Sequence, residues 1–288
     1  MWRCRAAIPW RPDEAKLQMK EAEKMGRIFA IMSGKGGVGK STISAALAEC
    51  YARRGKKVAL LDGDIGLRCA DLMLGMQDRV VFDLGDLTED KCPLDQALVS
   101  HPVLPNLSLL AAPQMLRPSD VKAKKMKKII DTLASRMDVV ILDAPAGIGR
   151  GLKNLLNAQA DSIIVATPDD VSLRDAEKLN ALLAQRGEMN AGLIINRVNK
   201  KLIRRGEMMA PARIAAYLDM PLMGAIPESG EIYRALLQQK TALQCGDAKV
   251  TEAIGHLADR LMGIDTPIHE YYPSAIWKFF HRGGEAQA

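Results

Sequence analysis

Residues 31–42 read Ile-Met-Ser-Gly-Lys-Gly-Gly-Val-Gly-Lys-Ser-Thr, and they carry the strongest structural signal in the sequence. It contains the pattern G-x-x-x-x-G-K-[ST], which marks a phosphate-binding loop when it follows a strand and opens a helix. Both conditions hold, because the short apolar run 28–32 precedes it and a helical pattern over 40–54 follows. The glycines let backbone N–H groups turn toward one anion, and the helix N-terminus adds its positive end. The stretch therefore predicts a nucleotide phosphate site.

Two side chains of this loop have specific expected roles. Lys40 should reach the β- and γ-phosphates, and the Ser41 hydroxyl should ligate Mg²⁺, so ATP and Mg²⁺ are the implied cofactors. The residues expected to surround the phosphates are Gly34, Lys35, Gly36, Gly37, Val38, Gly39, Lys40, Ser41 and Thr42.

The rest of the chain repeats short aliphatic runs separated by longer helical patterns. The runs are 28–32, 58–61, 107–110, 139–142, 163–166, 193–195 and 222–225, and helical candidates include 40–54, 119–135, 171–185 and 212–218. Fully apolar short strands between amphipathic helices predict a doubly wound α/β fold, a mostly parallel sheet with helices on both faces. We expect an N-terminal extension over residues 1–26, one ATPase domain over 27–264 and a C-terminal tail over 265–288.

Carboxylates follow two of the predicted strands. Asp62 and Asp64 end the second run, and Asp143 ends the run 139–142. Because the carboxyl ends of parallel strands face the ligand crevice, Asp143 is expected to hold Mg²⁺ together with Ser41. Asp64 is expected beside the metal, positioning and polarising the attacking water. For a single Asp after a strand, capping of the next helix is the alternative.

The candidate base contact lies at the end of the run 193–195. Asn196 follows this run directly, and position 199 is Asn where a guanine-specific Asn-Lys-x-Asp motif would carry Asp. The pattern favours ATP over GTP with Asn196 as the adenine contact, and a simple turn at the strand end is the alternative.

Composition and charge restrict the class of protein. The net charge of +6 and pI near 9.0 are mildly basic and suit an anionic partner or an ordinary solvated surface. Five scattered cysteines without a C-x-x-C pair argue against a disulfide framework or a zinc site. No apolar stretch reaches the roughly 18 residues of a spanning helix, and residues 1–12 lack the core of a signal peptide. We expect a cytoplasmic protein that can still lie on a membrane surface.

Lys35 adds a second lysine to the phosphate loop, and with it the chain resembles the deviant Walker A ATPases. Over residues 27–264 it is similar to the MinD family, which governs placement of the division septum. Beyond the loop, the matching segments are 64–68 with 71–75, 143–148, 167–168 with 173–176, 195–198 and 205–209.

The resemblance implies an ATP-driven switch. The protein would bind ATP, form a homodimer across the nucleotides and hydrolyse ATP, with Lys35 reaching the partner's phosphates and Asp64 acting on the water. Pro227 and Glu228 would lie near the base beside Asn196. The dimer would engage an anionic membrane surface and a MinC-like division inhibitor, and a MinE-like activator would stimulate hydrolysis.

The sequence also departs from the family pattern. Cys69 and Ala70 stand where Asn and Leu are usual, residues 149–151 lack the expected acidic side chain, and family members tend to begin near the first strand. The first two departures could retune partner contacts.

Two further segments bear on the choice of partner. The tail over residues 274–282 gathers large apolar groups on one helical face and Lys278, His281 and Arg282 on the other. The apolar residues are Ile276, Trp277, Phe279 and Phe280. This pattern predicts membrane insertion, with docking onto the domain as the alternative.

The five lysines between 122 and 128 indicate a solvated helix face, and nucleic acid is not the expected partner because interleaved aromatics are missing. Two alternatives stay open at this point. One is a ParA-like ATPase that positions DNA or protein cargo, using these lysines. The other is a MinD-like regulator of flagellar number.

Overall fold

The computed structural model describes residues 25–66, 68–114, 121–156, 159–187 and 191–268. The predicted extension lies almost wholly outside this range, and so do the tail residues Ile276, Trp277, Phe279 and Phe280.

An eight-stranded sheet forms the centre of the described chain. Its strands are β1 (Arg27–Met32), β2 (Val58–Asp62), β3 (Leu98–Ser100), β4 (Leu107–Leu110), β5 (Val139–Asp143), β6 (Asp161–Ala166), β7 (Gly192–Val198) and β8 (Leu222–Pro227). They lie in the order β3-β4-β2-β5-β1-β6-β7-β8, and all neighbours are parallel except β3, which runs antiparallel to β4. The predicted doubly wound fold is confirmed.

Helices cover the sheet on both faces. They are α1 (Lys40–Arg53), α2 (Ala70–Met73), α3 (Leu84–Thr88), α4 (Leu94–Ala97), α5 (Ala123–Arg136), α6 (Arg150–Leu155), α7 (Asp170–Gln185), α8 (Lys200–Arg205), α9 (Pro211–Leu218), α10 (Gly230–Leu237) and α11 (Ala248–Leu261). Short 3₁₀ turns cover Gln77–Arg79 and Ala242–Gln244.

The alternation of side chains along β1 divides the core into two layers. Phe29 and Ile31 are fully buried on the face covered by α1 and α11, whereas Ala30 and Met32 belong to the cluster under α5 and α7. A strand buried on both faces must be apolar at every position, which explains why the strands read as continuous aliphatic runs.

Two parts of the predicted secondary structure need correction. The helix expected over 119–135 begins at Ala123, because Lys122 has extended backbone angles with φ −74° and ψ 131° and ends the preceding segment. The short antiparallel strand Leu98–Ser100 was not predicted, since three residues at a sheet edge carry too little pattern to be recognised.

Strand register brings the predicted site residues to one edge of the sheet. Ile31 pairs with Asp143 across β1 and β5, and Asp62 pairs with Asp143 across β2 and β5. Because all three strands are parallel, their carboxyl ends meet next to the start of the phosphate loop. The crevice above this edge is where a ligand would lie.

Candidate active site

The phosphate loop connects β1 to α1 and turns through two left-handed glycines. Gly37 has φ 80° and Gly39 has φ 92°, values that side chains with a Cβ rarely adopt. The Ser33 hydroxyl donates to the Lys35 carbonyl at 2.9 Å and so holds the first turn of the loop. A Cβ added at Gly36 or Gly37 would meet no atom of the described chain within 4 Å, so the space beside these two glycines is open. The loop can therefore take an anion against its backbone.

The loop lysine Lys40 is buried and paired with a strand-end carboxylate. Its Nζ lies 2.7 Å from Oδ1 of Asp143, and Ser44 donates its hydroxyl to the same oxygen at 2.9 Å. The other oxygen of Asp143, Oδ2, is buried and has no hydrogen-bond partner among the residues that the structure describes. Since buried polar atoms are nearly always satisfied, this oxygen points to a ligand that completes the site.

The surroundings of Asp143 suit a hydrated Mg²⁺ bound together with phosphates. The Ser41 hydroxyl lies 3.2 Å from Lys40 Nζ, at the same place. Across the described ranges, no three acidic, histidine or cysteine side chains are grouped to hold a metal ion by themselves. Mg²⁺ characteristically keeps several waters and takes one or two protein ligands plus substrate phosphates. Ser41 and the unpartnered oxygen of Asp143 fit that donor set.

The two aspartates after β2 differ in burial and in hydrogen bonding. Asp62 is 1% exposed and accepts the backbone N–H groups of Asp64 at 3.0 Å and of Ala70 at 3.1 Å. Burial and then the charge of Asp143 raise the pKa of Asp62 to about 7. Asp64 is half-buried, and its pKa is raised because burial and Asp143 outweigh the opposing charge of Lys40. A raised pKa makes the Asp64 carboxylate a better proton acceptor.

Neither Asp64 nor Asp143 caps a helix, so the capping alternative is wrong for both. The residues at the N-caps of α2 and α6 are Cys69 and Gly149. Positions 69 and 70, which depart from the family pattern, thus lie at the start of α2. There the Ala70 N–H is one of the two backbone donors to the Asp62 carboxylate.

The second loop lysine, Lys35, lies outside the buried centre. Its Nζ is 3.1 Å from Oδ1 of Asp169, and the two side chains are 33% and 50% exposed. Asp169 also caps α7 through Ser172 N at 3.0 Å and accepts the Thr167 hydroxyl at 2.5 Å. Partial burial acts to raise the pKa of Asp169, but these hydrogen bonds and Lys35 hold it below its usual value. Lys35 therefore sits at the rim of the crevice, paired within its own chain.

The predicted base contacts meet at the ends of β7 and β8. Asn196 is 7% exposed, and Val198 pairs with Pro227 in the sheet. Glu228 donates its backbone N–H to Val198 at 3.0 Å, and its carboxylate accepts from Asn199 Nδ2 at 2.9 Å. The structure thus brings these predicted residues together at one edge, while their contact with a base stays a prediction.

Three residues of the site were missed at the sequence level. Ser44 could have been found, because it lies four residues after Lys40 on the same helix face. Asp169 and Arg197 contact the phosphate loop from 134 and 160 residues away, and no local pattern predicts these contacts.

A family model described as ParA, NUBPL iron-transfer P-loop NTPase, matches residues 24–262. The septum site-determining protein MinD of Synechocystis is 36% identical over 248 residues, which covers 86% of this chain and 93% of that protein. The chain belongs to the MinD family.

Solved structures agree with this membership. MinD in the MinC:MinD complex of Aquifex aeolicus is 32% identical with a TM-score of 0.77, covering 85% of this chain and 99% of that chain. A Pyrococcus horikoshii MinD complexed with Mg-ADP is 28% identical with a TM-score of 0.73, covering 82% and 96%. The shared fold and motifs make this chain a P-loop nucleotide-binding protein of the MinD type.

Among the described residues, no helix is long and apolar enough to cross a membrane. None of the described cysteines, Cys50, Cys69, Cys92 and Cys245, forms a disulfide bond.

Proposed function

We propose that this MinD-family protein is an ATP-driven switch that dimerises across ATP, binds the cytoplasmic face of the membrane as a dimer, and recruits a MinC-like division inhibitor there. The observation that carries the proposal is the different burial and pairing of the two lysines of the phosphate loop. Lys40 is buried against Asp143 at the centre of the site, whereas Lys35 lies at the rim with 33% of its side chain exposed.

Nucleotide binding would use the open loop and the buried centre. When Mg-ATP binds, Lys40 can move its charge from Asp143 to the β- and γ-phosphates. That movement leaves the Asp143 carboxylate facing Mg²⁺, which Ser41 would ligate directly. The neutral Asn199, in place of a guanine-reading Asp, supports adenine as the base.

Hydrolysis would be carried by Asp64 and by a lysine arriving from the second subunit. Asp64 orients a water for in-line attack on the γ-phosphorus and polarises it, while the bond from that phosphorus to the ADP oxygen breaks. The products are ADP and inorganic phosphate. The charge that develops on the transferred group is stabilised by Lys40 and by the partner subunit's Lys35, much as an arginine finger acts in trans.

The position of Lys35 supports the role in trans. Its pair with Asp169 is solvent-exposed, and such pairs contribute only about 0.2–1 kcal/mol. A lysine side chain held this weakly can leave the Asp169 carboxylate when a more favourable anion comes within reach. Dimer formation would present the partner's phosphates, so hydrolysis would be tied to assembly.

We assign membrane binding to the C-terminal tail because of the apolar and basic residues in its sequence. Burying four large apolar side chains contributes roughly 1.5–3 kcal/mol each at best, and ordering the segment costs roughly 1–2 kcal/mol per residue. Lys278 and Arg282 add roughly 1 kcal/mol each on an anionic surface. One tail would bind weakly and two tails on one dimer far more tightly, because the second engages at high effective concentration.

The partner assignment rests on the family. The Aquifex aeolicus structure is titled as a complex of MinC with MinD, and a MinC-like inhibitor is the corresponding partner for this chain. A MinE-like activator of hydrolysis is proposed on the family resemblance alone.

Cosedimentation with anionic liposomes tests the membrane part of the proposal. The wild type should sediment with vesicles in Mg-ATP but not in Mg-ADP, and more weakly as salt rises. Removing residues 274–288 should abolish sedimentation while ATP binding survives. Equal sedimentation of the truncated protein would contradict the assignment of the tail.

A parallel arm with duplex DNA tests the ParA-like alternative. The lysines over 122–128 are its candidate contacts, yet Lys125 already pairs with Asp90 at 2.6 Å and Lys127 with Asp131 at 2.6 Å. ATP-dependent binding to DNA without binding to vesicles would favour that alternative.

A further inference from the structure

Two consecutive residues at the end of β7 bind two consecutive carbonyl groups of the phosphate loop. Asn196 donates from Nδ2 to the Val38 carbonyl at 2.8 Å. Arg197 donates from Nη2 to the Gly37 carbonyl at 2.7 Å. We propose that Asn196 and Arg197 are positioning residues that clamp the phosphate loop in its anion-binding conformation. This proposal rests on the nucleotide-binding part of the proposed function.

The backbone at the end of β7 departs from regular strand geometry beside the phosphate loop. The pairing of β7 with β8 shifts register between Ile195 and Val198, so one extra residue is accommodated in β7. Arg197 itself adopts a left-handed φ of 57°, which is unfavourable for a residue with a side chain. Bulges and strained residues of this kind re-aim side chains beside functional sites. Here they direct both side chains onto the loop.

The glycine at position 39 of the loop leaves space for the side chain of Asn196. A Cβ added at Gly39 would lie 2.3 Å from Asn196 Nδ2, so the side chain of Asn196 fits only because position 39 is glycine. Asn196 is itself fixed, since its Oδ1 accepts the backbone N–H of Arg197 at 2.9 Å. The fit between Gly39 and Asn196 is therefore mutual and specific.

The clamp has a direct consequence for anion binding. A phosphate loop works only when its N–H groups face the ligand and its carbonyl oxygens face away. A peptide unit that rotates would present a carbonyl oxygen to the phosphates and repel them. Donors held on the Gly37 and Val38 carbonyls oppose that rotation before any nucleotide arrives, which is preorganisation of the site.

The clamp role differs from the base contact expected of Asn196, and the two can be separated experimentally. A residue that reads the base affects the choice of ADP over GDP. A residue that holds the loop affects every ligand bound through phosphates, including inorganic pyrophosphate, which has no base.

The test uses the full-length protein and the substitution Arg197→Met, which keeps an apolar stem and removes the donors. Competition against fluorescent ADP measures the affinities for unlabelled ADP, GDP and pyrophosphate. In Arg197→Met all three affinities should weaken by about three- to tenfold, which corresponds to the loss of one hydrogen bond. The ADP-to-GDP ratio should not change. Arg197→Lys, which keeps one donor, should fall between Arg197→Met and the wild type. Arg204→Met, at an exposed arginine of α8, is the matched control and should bind as the wild type does.

A second readout needs no nucleotide. Hydrogen exchange of amides 34–39 in the nucleotide-free protein should be faster in Arg197→Met and in Asn196→Ala than in wild type or Arg204→Met. Unchanged exchange together with unchanged pyrophosphate affinity would overturn the clamp. A change in the ADP-to-GDP ratio with constant pyrophosphate affinity would overturn it in favour of base reading. If the wild type binds neither ADP nor pyrophosphate, the proposed function fails, while the exchange measurement still decides on the clamp.

Discussion

The buried pair between Lys40 and Asp143 makes a quantitative prediction about the protein without its nucleotide. The side chains are 6% and 1% exposed, and their charged atoms are 2.7 Å apart. Removing one partner of such a pair leaves a buried charge uncompensated and costs about 3–5 kcal/mol. Ser44 still donates to Asp143, so we expect Lys40→Met to lower the free energy of unfolding by about 3 kcal/mol. In a domain of this size that corresponds to roughly 6–12 °C in Tm.

Urea unfolding followed by far-UV circular dichroism measures this effect in buffer with EDTA and without phosphate or nucleotide. Lys35→Ala is the matched control from the same loop. Its pair with Asp169 is exposed, and its loss should cost less than about 1 kcal/mol. The double variant Lys40→Met/Asp143→Asn removes the stranded charge and should recover at least half of the lost stability. A Lys40→Met protein within 1 kcal/mol of the wild type, or a double variant less stable than the single one, would show that an unpaired Asp143 carboxylate does not destabilise the fold.

Three further predictions concern two residues of the site and one buried hydrogen bond outside it. Asp64→Ala should bind ATP and accumulate as a dimer without turnover, and turnover equal to wild type would exclude it as the catalytic carboxylate. Asp169→Asn keeps the oxygen that caps α7 but removes the charge that holds Lys35. The protein concentration at which half is dimeric in ATP, measured by light scattering, should therefore fall by about two- to fivefold. An unchanged value would mean that the pair does not restrain Lys35. Thr241→Val removes the hydroxyl that donates to the buried Glu49 of α1 and should cost about 1–3 kcal/mol of unfolding free energy in urea. A loss below 0.5 kcal/mol would show that the remaining donors satisfy that carboxylate.

Much of the fold was readable from the sequence because its signals are local. Residues 31–42 carry the loop, the turn and the start of α1 in one continuous stretch, and each buried parallel strand is a continuous aliphatic run. The carboxylates Asp62, Asp64 and Asp143 follow their strands directly, and the parallel register brings those strand ends together. For these features, position along the chain determines position in space.

What could not be predicted depends on contacts between distant parts of the chain. Asn196 lies 158 residues from the carbonyl that it binds, and the sequence alone favoured a base contact for it. Glu49 resembles an ordinary helix-surface residue, but it is 2% exposed and accepts from Gln244 Nε2 at 2.7 Å, 195 residues away. At the sequence level Asp62 has no role of its own beside Asp64, whereas in the structure its carboxylate accepts the backbone N–H groups of Asp64 and Ala70. The partners in each case depend on tertiary packing, which no local pattern contains.

In the proposed function, Lys35 couples bound ATP to dimerisation, and sedimentation velocity measures this coupling. The measurement compares Asp64→Ala, in which turnover is blocked, with Lys35→Ala/Asp64→Ala, each in Mg-ATP and in Mg-ADP. Asp64→Ala should be a dimer in Mg-ATP alone, and the double variant should be a monomer in both nucleotides although it still binds ATP through Lys40. If the double variant dimerises in Mg-ATP at the same concentration as Asp64→Ala, Lys35 does not couple ATP to dimerisation.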